Sequence, residues 1–196
     1  IKQTKKDTMR KLKLQVQITV DGYVAGSNGE LNWMTWEKDE ALIQFINDLT
    51  DSSSTIILGR KMTDGFINYW EGIVNDKPDS PEFPFAKKMV DTPKVVFTKT
   101  LDKSPWNNTT LAKGSLADEI GKMKNEQGKD LIVYGGATFV SSLIKENLID
   151  EFNFFVNPVM LGKGMRIFDM LDRTQKLTTL GATGYTDGIT VLRYKR

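Results

Sequence analysis

The feature that most constrains the fold is the stretch Asp130-Leu131-Ile132-Val133-Tyr134-Gly135-Gly136-Ala137-Thr138-Phe139-Val140. Its apolar, β-branched run, Leu131, Ile132 and Val133, predicts a buried strand. Two glycines end that run. Beyond them Phe139, Val140, Leu143 and Ile144 recur at helical spacing. A strand that turns through Gly-Gly straight into a helix aims unpaired N–H groups, and the positive end of the helix dipole, at one spot. Such a spot suits a phosphate or another anion, and a Cβ there would hold the anion off the backbone. A tight strand-to-helix connection with no ligand fits the same residues, since the full G-x-G-x-x-G pattern is absent.

The rest of the chain repeats the theme. Leu12, Leu14, Val16, Ile18 and Val20 alternate with Lys13, Gln15, Gln17 and Thr19, the period of a strand with one covered face. A glycine-bearing loop follows, Asp21 to Gly29, and then Trp33 and Trp36. Ala41, Leu42, Phe45, Ile46 and Leu49 share one face of a helix over about 37–49. A buried strand over 54–58 ends at Gly59, with Arg60, Lys61 and Met62 just past it: a second strand-to-helix turn, carrying two cations. Residues 68–84, rich in Pro, Asp and aromatics, read as a surface loop leading to a helix near 85–90. Pro93 marks the start of a strand, 94–97, that ends in Thr98-Lys99-Thr100. A short extended segment follows near 109–112. The next helix opens at Ser115 with Asp118 and Glu119 in its first turn, close to a capping box. After the Gly-Gly unit come a strand at 151–156, a turn-rich connection over 157–164 and a hairpin broken at Asp187-Gly188.

Strands alternating with helices imply an α/β fold with a mostly parallel twisted sheet, helices on both faces and an antiparallel hairpin at one edge. Ligands in such sheets bind at the carboxyl ends of the strands, where Gly26, Gly59, Thr98 and Gly135 all fall. One domain over 10–196 accounts for the length, with 1–9 a lysine-rich arm or remnant outside it.

Composition narrows the chemistry. The 196 residues carry a net charge of +2, without the basic stripe of a nucleic-acid partner. There is no Cys and no His, so disulfides, thiol nucleophiles and histidine bases are excluded and no transition-metal site is expected. No apolar run is long enough to span a membrane and no signal-peptide pattern is visible, which reads as a cytoplasmic protein.

Five segments then carry a resemblance: Val20 to Gly26, Ile57 to Met62, Val95 to Thr100, Val133 to Ala137 and Pro158 to Met165. In this order and spacing they resemble the dihydrofolate reductase-like superfamily, and most closely the RibD C-terminal family with its stand-alone single-domain relatives. The resemblance implies a dihydrofolate reductase-like fold and NADPH-dependent reduction of a pterin, pyrimidine or related heterocycle, as in riboflavin biosynthesis. It implies that Gly59, Arg60, Lys61 and Met62 contact the adenosine phosphates. Arg60 would take the 2′-phosphate, since a guanidinium binds two oxygens at once; otherwise Arg60 is a surface arginine near a helix start. By the same resemblance Thr98 and Lys99 flank that phosphate, Gly135, Gly136, Ala137 and Thr138 carry the pyrophosphate, and Val24 and Ala25 meet the nicotinamide.

On the substrate side, Trp33 resembles an aromatic beside the substrate but also suits simple packing. Asp21 orients a substrate or caps its own loop. Tyr134 offers a hydroxyl at the cleft floor or is a core tyrosine. Asp39 and Glu37 lie near the expected proton-donating carboxylate, at an offset from Trp33 that does not match; Asp39 is the candidate kept. The chain lacks the zinc deaminase half of the bifunctional riboflavin enzyme and the arginine-rich helix expected to grip a ribose phosphate. The remaining rivals are dihydrofolate reduction and a nucleotide-binding protein without turnover. The terminal hairpin and the aromatics Phe152, Phe154 and Phe155 hint at a homodimer; those phenylalanines equally suit a core, two on one face and one on the other.

Overall fold

A computed structural model describes residues 9–35 and 39–196. The arm at 1–8, Trp36 and Glu37 lie outside the described residues, among which an eight-stranded sheet and five helices form. In chain order these are β1 (Leu12–Thr19), α1 (Glu40–Asp51), β2 (Ser53–Gly59), α2 (Arg60–Asp76), α3 (Phe83–Asp91), β3 (Lys94–Phe97), β4 (Thr109–Ala112), α4 (Leu116–Asn125), β5 (Asp130–Val133), α5 (Ala137–Lys145), β6 (Glu151–Asn157), β7 (Thr178–Gly184) and β8 (Thr190–Lys195). The sheet runs β4-β3-β2-β5-β1-β6-β8-β7. Strands β4 through β6 are mutually parallel, and the β7–β8 hairpin joins antiparallel to β6. This is the expected α/β architecture. Because β1 to β6 are all parallel to one another, they all end along one edge.

The sheet separates two apolar layers. Leu12, Leu14, Val16 and Ile18 of β1 pack with Ile120, Met123, Val140, Leu143 and Ile144 of α4 and α5. Leu42, Ile46 and Leu49 of α1 pack with Ile56, Leu58, Met89, Val96, Ile132 and Phe155 on the opposite face. Each such side chain stabilises the fold by roughly 1.5–3 kcal/mol through burial alone. Placing β1 between β5 and β6 corrects one expectation: its polar set is largely covered too, with Lys13, Gln15 and Thr19 all buried and Gln17 half-buried. A strand in the middle of a doubly covered sheet has no solvent face, whatever its alternation.

One further expectation is revised, and one of two open readings is borne out. The reading of 68–84 as a loop fails at its start, since α2 continues to Asp76. Thr63, Ile67 and Ile73, its buried positions, sit on one side of the helix, and that packing outweighs the low propensity of Gly65 and Gly72. The aromatics of β6 do not reach the surface. Phe152 and Phe154 stack on one face at 5.7 Å between ring centres, while Phe155 meets Phe45 of α1 on the other at 5.9 Å. The edge strand β7, by contrast, is exposed along nearly its whole length, with Leu180 at 43%.

Candidate functional site at the carboxyl edge of the sheet

Two strand-to-helix corners meet at the carboxyl edge. Strands β2 and β5 are neighbours, pairing Ile57 with Val133, so α2 and α5 begin side by side. Both helices start on a glycine with no side-chain cap and no acid in the first turn. Helices α1 and α4 are built differently: Asp39 accepts from Leu42 N and Ser115 from Asp118 N, with acids at Glu40, Asp118 and Glu119. The first-turn amides of α2 and α5 are thus left for something other than the chain's own side chains.

The corners are held close by glycine. A Cβ on Gly59 would lie 2.7 Å from Phe139 Cβ, in the first turn of α5. Gly136 adopts φ +86°, a left-handed conformation that side chains resist, and a Cβ there would come within 3.2 Å of Met62 Sδ. Gly135, at φ +140°, borders open space. Gly59, Met62, Gly135, Gly136, Ala137 and Thr138 therefore share one place.

Arg60 lies over the Trp106 ring at 5.1 Å and pairs with Asp64 at 2.8 Å, while Trp106 Nε1 donates to the other Asp64 oxygen at 3.2 Å. Hydrogen bonding from Arg60 holds the Asp64 carboxyl below its ordinary value. Arg60 is thereby fixed beside the corner with part of its fork unused. Lys61 and Lys99 are exposed and make no ion pair among the described residues. Thr98 is buried; its hydroxyl accepts from Thr100 N and Leu101 N and shapes the end of β3.

Beyond β1, Val24 and Ala25 are buried against the loop after β6. Val24 N donates to Met165 O, and Met165 N to Ala25 O, each at 2.8 Å. Asp21 accepts from Leu161 N and Gly162 N and from the Thr19 hydroxyl, which holds it ionised; it ties the same loop to β1. Trp33 is half-buried and donates to Glu30 O within its own loop. Asp39 caps α1 and also accepts from Thr186 N and Oγ1, at 2.8 and 2.9 Å. Those backbone donors, Leu42 first, hold its carboxyl below the usual range, so it stands ionised at neutral pH. Tyr134 bonds Thr50 across to α1, and burial raises its phenol far above the ordinary value. None of these groups is poised to give up a proton.

Three contributors were not singled out as site residues by the sequence: Trp106, which reaches Arg60 from the β3–β4 connection; Met165, which brackets Ala25 and closes one of the five family-like segments; and Asn157, whose amide donates to Gln17 Oε1 at 2.7 Å while its oxygen accepts from Thr35 N at 2.9 Å. Among the described residues no group of three or more Asp or Glu side chains forms a metal centre, and no helix is long and apolar enough to cross a membrane.

Comparison with known proteins agrees with the fold. The uncharacterized Bacillus subtilis proteins YyaP and YwjB are 29% and 28% identical, over 94% and 92% of this chain and 94% and 95% of theirs. A Shewanella sp. PV-4 protein provisionally named for riboflavin biosynthesis superposes with a TM-score of 0.72 at 22% identity, covering 96% of this chain and 99% of that one. A Thermotoga maritima diaminohydroxyphosphoribosylaminopyrimidine deaminase/5-amino-6-(5-phosphoribosylamino)uracil reductase superposes with a TM-score of 0.64 at 16% identity, over 95% of this chain but only 56% of that one. These structures share the fold. The model of the RibD C-terminal domain matches residues 10–191, and the chain belongs to that family.

Proposed function

We propose that the protein is an NADPH-dependent reductase of a small flat heterocycle, akin to the uracil reductase half of the bifunctional neighbour. The observation that carries this reading is the meeting of two helix starts, α2 and α5, neither capped by its own chain. Their amides suit the paired charges of a dinucleotide's pyrophosphate. Arg60, Lys61 and Lys99 supply cations for the adenosine phosphates, with Thr98 shaping the wall beside them. The donor set fits the cofactor: open backbone amides, a glycine bordering free space, and an arginine already oriented.

When bound, NADPH supplies the hydride. The chain's part is to hold and orient. Val24 and Ala25 give a rigid backbone rail for the nicotinamide, pinned by Met165 and, through Asp21, by the 161–162 amides. Trp33 and Tyr134 border the substrate side. Asp39, ionised and engaged twice, is replaced in our reading by solvent as the proton source.

Loss of reduced-nicotinamide absorbance with a panel of pterins, flavins, pyrimidines and dihydrofolate tests the reading. Turnover of one heterocycle supports it, and dihydrofolate as best substrate would move the assignment within reductases. Saturable NADPH binding with no oxidation would favour a binding protein, a rival supported by the lack of a poised acid. We further infer a homodimer formed through β7, whose uncharged edge is exposed.

A further inference from the structure

Strand β3 begins on a charged residue that the fold buries. Lys94 is 4% exposed and shares the face of β3 that carries Val96, the face packed by α2 and α3. Its Nζ donates to Val90 O at 2.9 Å and to Thr92 O at 2.8 Å, carbonyls that the end of α3 leaves without helical partners. A cation at that end also suits the helix dipole. An ammonium has a third donor, and neither carbonyl takes it.

Lys94 also borders a small, largely enclosed cavity of about 20 Å³. Its other walls are Ile67, Trp70 and Glu71 of α2, Met89 and Val90 of α3, and Asn107 from the β3–β4 connection. A single water needs about 10–15 Å³ of room and about two to four polar partners. The cavity has room for one, and Lys94, Glu71 and Asn107 bring polar groups to it. The acids that face Lys94 are Glu71 from α2 and Asp91 from α3. Asp91 is engaged by Lys87 at 2.7 Å, and neither acid pairs directly with Lys94 among the described residues. A second cation in the cavity would be repelled by Lys94 and an anion by Glu71. What fits is a small neutral molecule that both accepts and donates.

We propose that this cavity is a site for one ordered water, which accepts from Lys94 Nζ and donates to the Glu71 carboxylate. The result is a water-mediated ion pair that fastens α2 to the junction of α3 and β3. It stands apart from the reductase reading. It also accounts for an ammonium at so buried a position, because two carbonyls and a water complete its shell and a carboxylate lies one water away.

A crystal structure of the full chain should show one ordered water within about 2.7–3.2 Å of both Lys94 Nζ and a Glu71 oxygen. A cavity without such density, or Lys94 Nζ in direct contact with Glu71, overturns the inference. Urea unfolding near pH 7 of wild type, Lys94→Met, Glu71→Gln and the double variant tests the same link in solution. Glu71→Gln should lower the unfolding midpoint of wild type, and lower that of Lys94→Met clearly less, because the partner at the other end of the water is gone. An equal shift in both backgrounds means that Glu71 and Lys94 are not coupled and overturns the inference as well.

Discussion

Replacing Gly59 with Ala tests the joint between the two corners. Gly59 has φ −84°, which any residue adopts, so glycine is required there by space and not by backbone conformation. The added Cβ would stand 2.7 Å from Phe139 Cβ and 2.8 Å from Phe139 Cγ. Carbon atoms rest at about 3.5–4.0 Å, so the starts of α2 and α5 must part by close to ~1 Å. Phe139 Cβ is fixed to its helix and cannot swing away. Overpacking of this kind costs about 1–3 kcal/mol, and at this chain length a mid-range ~2 kcal/mol lowers Tm by about 4–8 °C. Displacing one set of amides by that distance should also weaken NADPH binding by about tenfold or more, since ~1 Å errors at a site are that costly. Circular dichroism melting and a fluorescence titration with NADPH read the two effects. Gly65→Ala is the control: it lies within α2 with nothing near its Cβ position, and should raise stability by about 0.5–1 kcal/mol. A Gly59→Ala protein that melts and binds like wild type would refute the reasoning.

Other perturbations reach different parts of the account. Arg60→Ala should weaken NADPH much more than NADH, and Asp64→Asn, which removes the carboxylate competing for Arg60, should tighten NADPH alone; equal effects on both cofactors in a binding titration would mean Arg60 does not read the 2′-phosphate. Burial pushes the Lys94 ammonium, 4% exposed, down to about 8 from 10.5. The unfolded chain then binds more protons between those values, so stability should climb by up to ~3 kcal/mol from about pH 8 to about pH 10.5 and be lost as pH falls through about 8. Urea midpoints across that range, flattened in Lys94→Met, would show it; a profile identical in both proteins would not fit. Sedimentation should give a dimer at micromolar concentration that Leu180→Lys on the β7 edge converts to monomer, and a wild-type monomer would remove the dimer proposal.

Much of the frame was readable because local signals agreed with one another. The run from Leu131 to Val133, the Gly-Gly turn and the helical period after it produced the β5–α5 corner as expected. Ser115 capped α4, and Asp187-Gly188 turned the hairpin. What escaped depended on tertiary cover. Lys13, Gln15 and Thr19 alternate like a solvent face, and only packing on both faces of the sheet makes them interior. The end of α2 was hidden by Gly65, Asn68 and Gly72, residues that weaken a helix unless one side is packed. Asp39 carries an N-cap signature, an acid just before the apolar face of α1, which accounts for its place better than proton delivery does. The Arg60, Asp64 and Trp106 cluster had no signal at all, because Trp106 arrives from a separate connection.

The central claim is that first-turn amides of α2 and α5 jointly hold a nicotinamide dinucleotide. Isothermal titration of the full chain with NADPH tests it most directly. The account predicts a saturable, one-site heat that Gly59→Ala diminishes. No heat and no saturable change with either NADPH or NADH would contradict it.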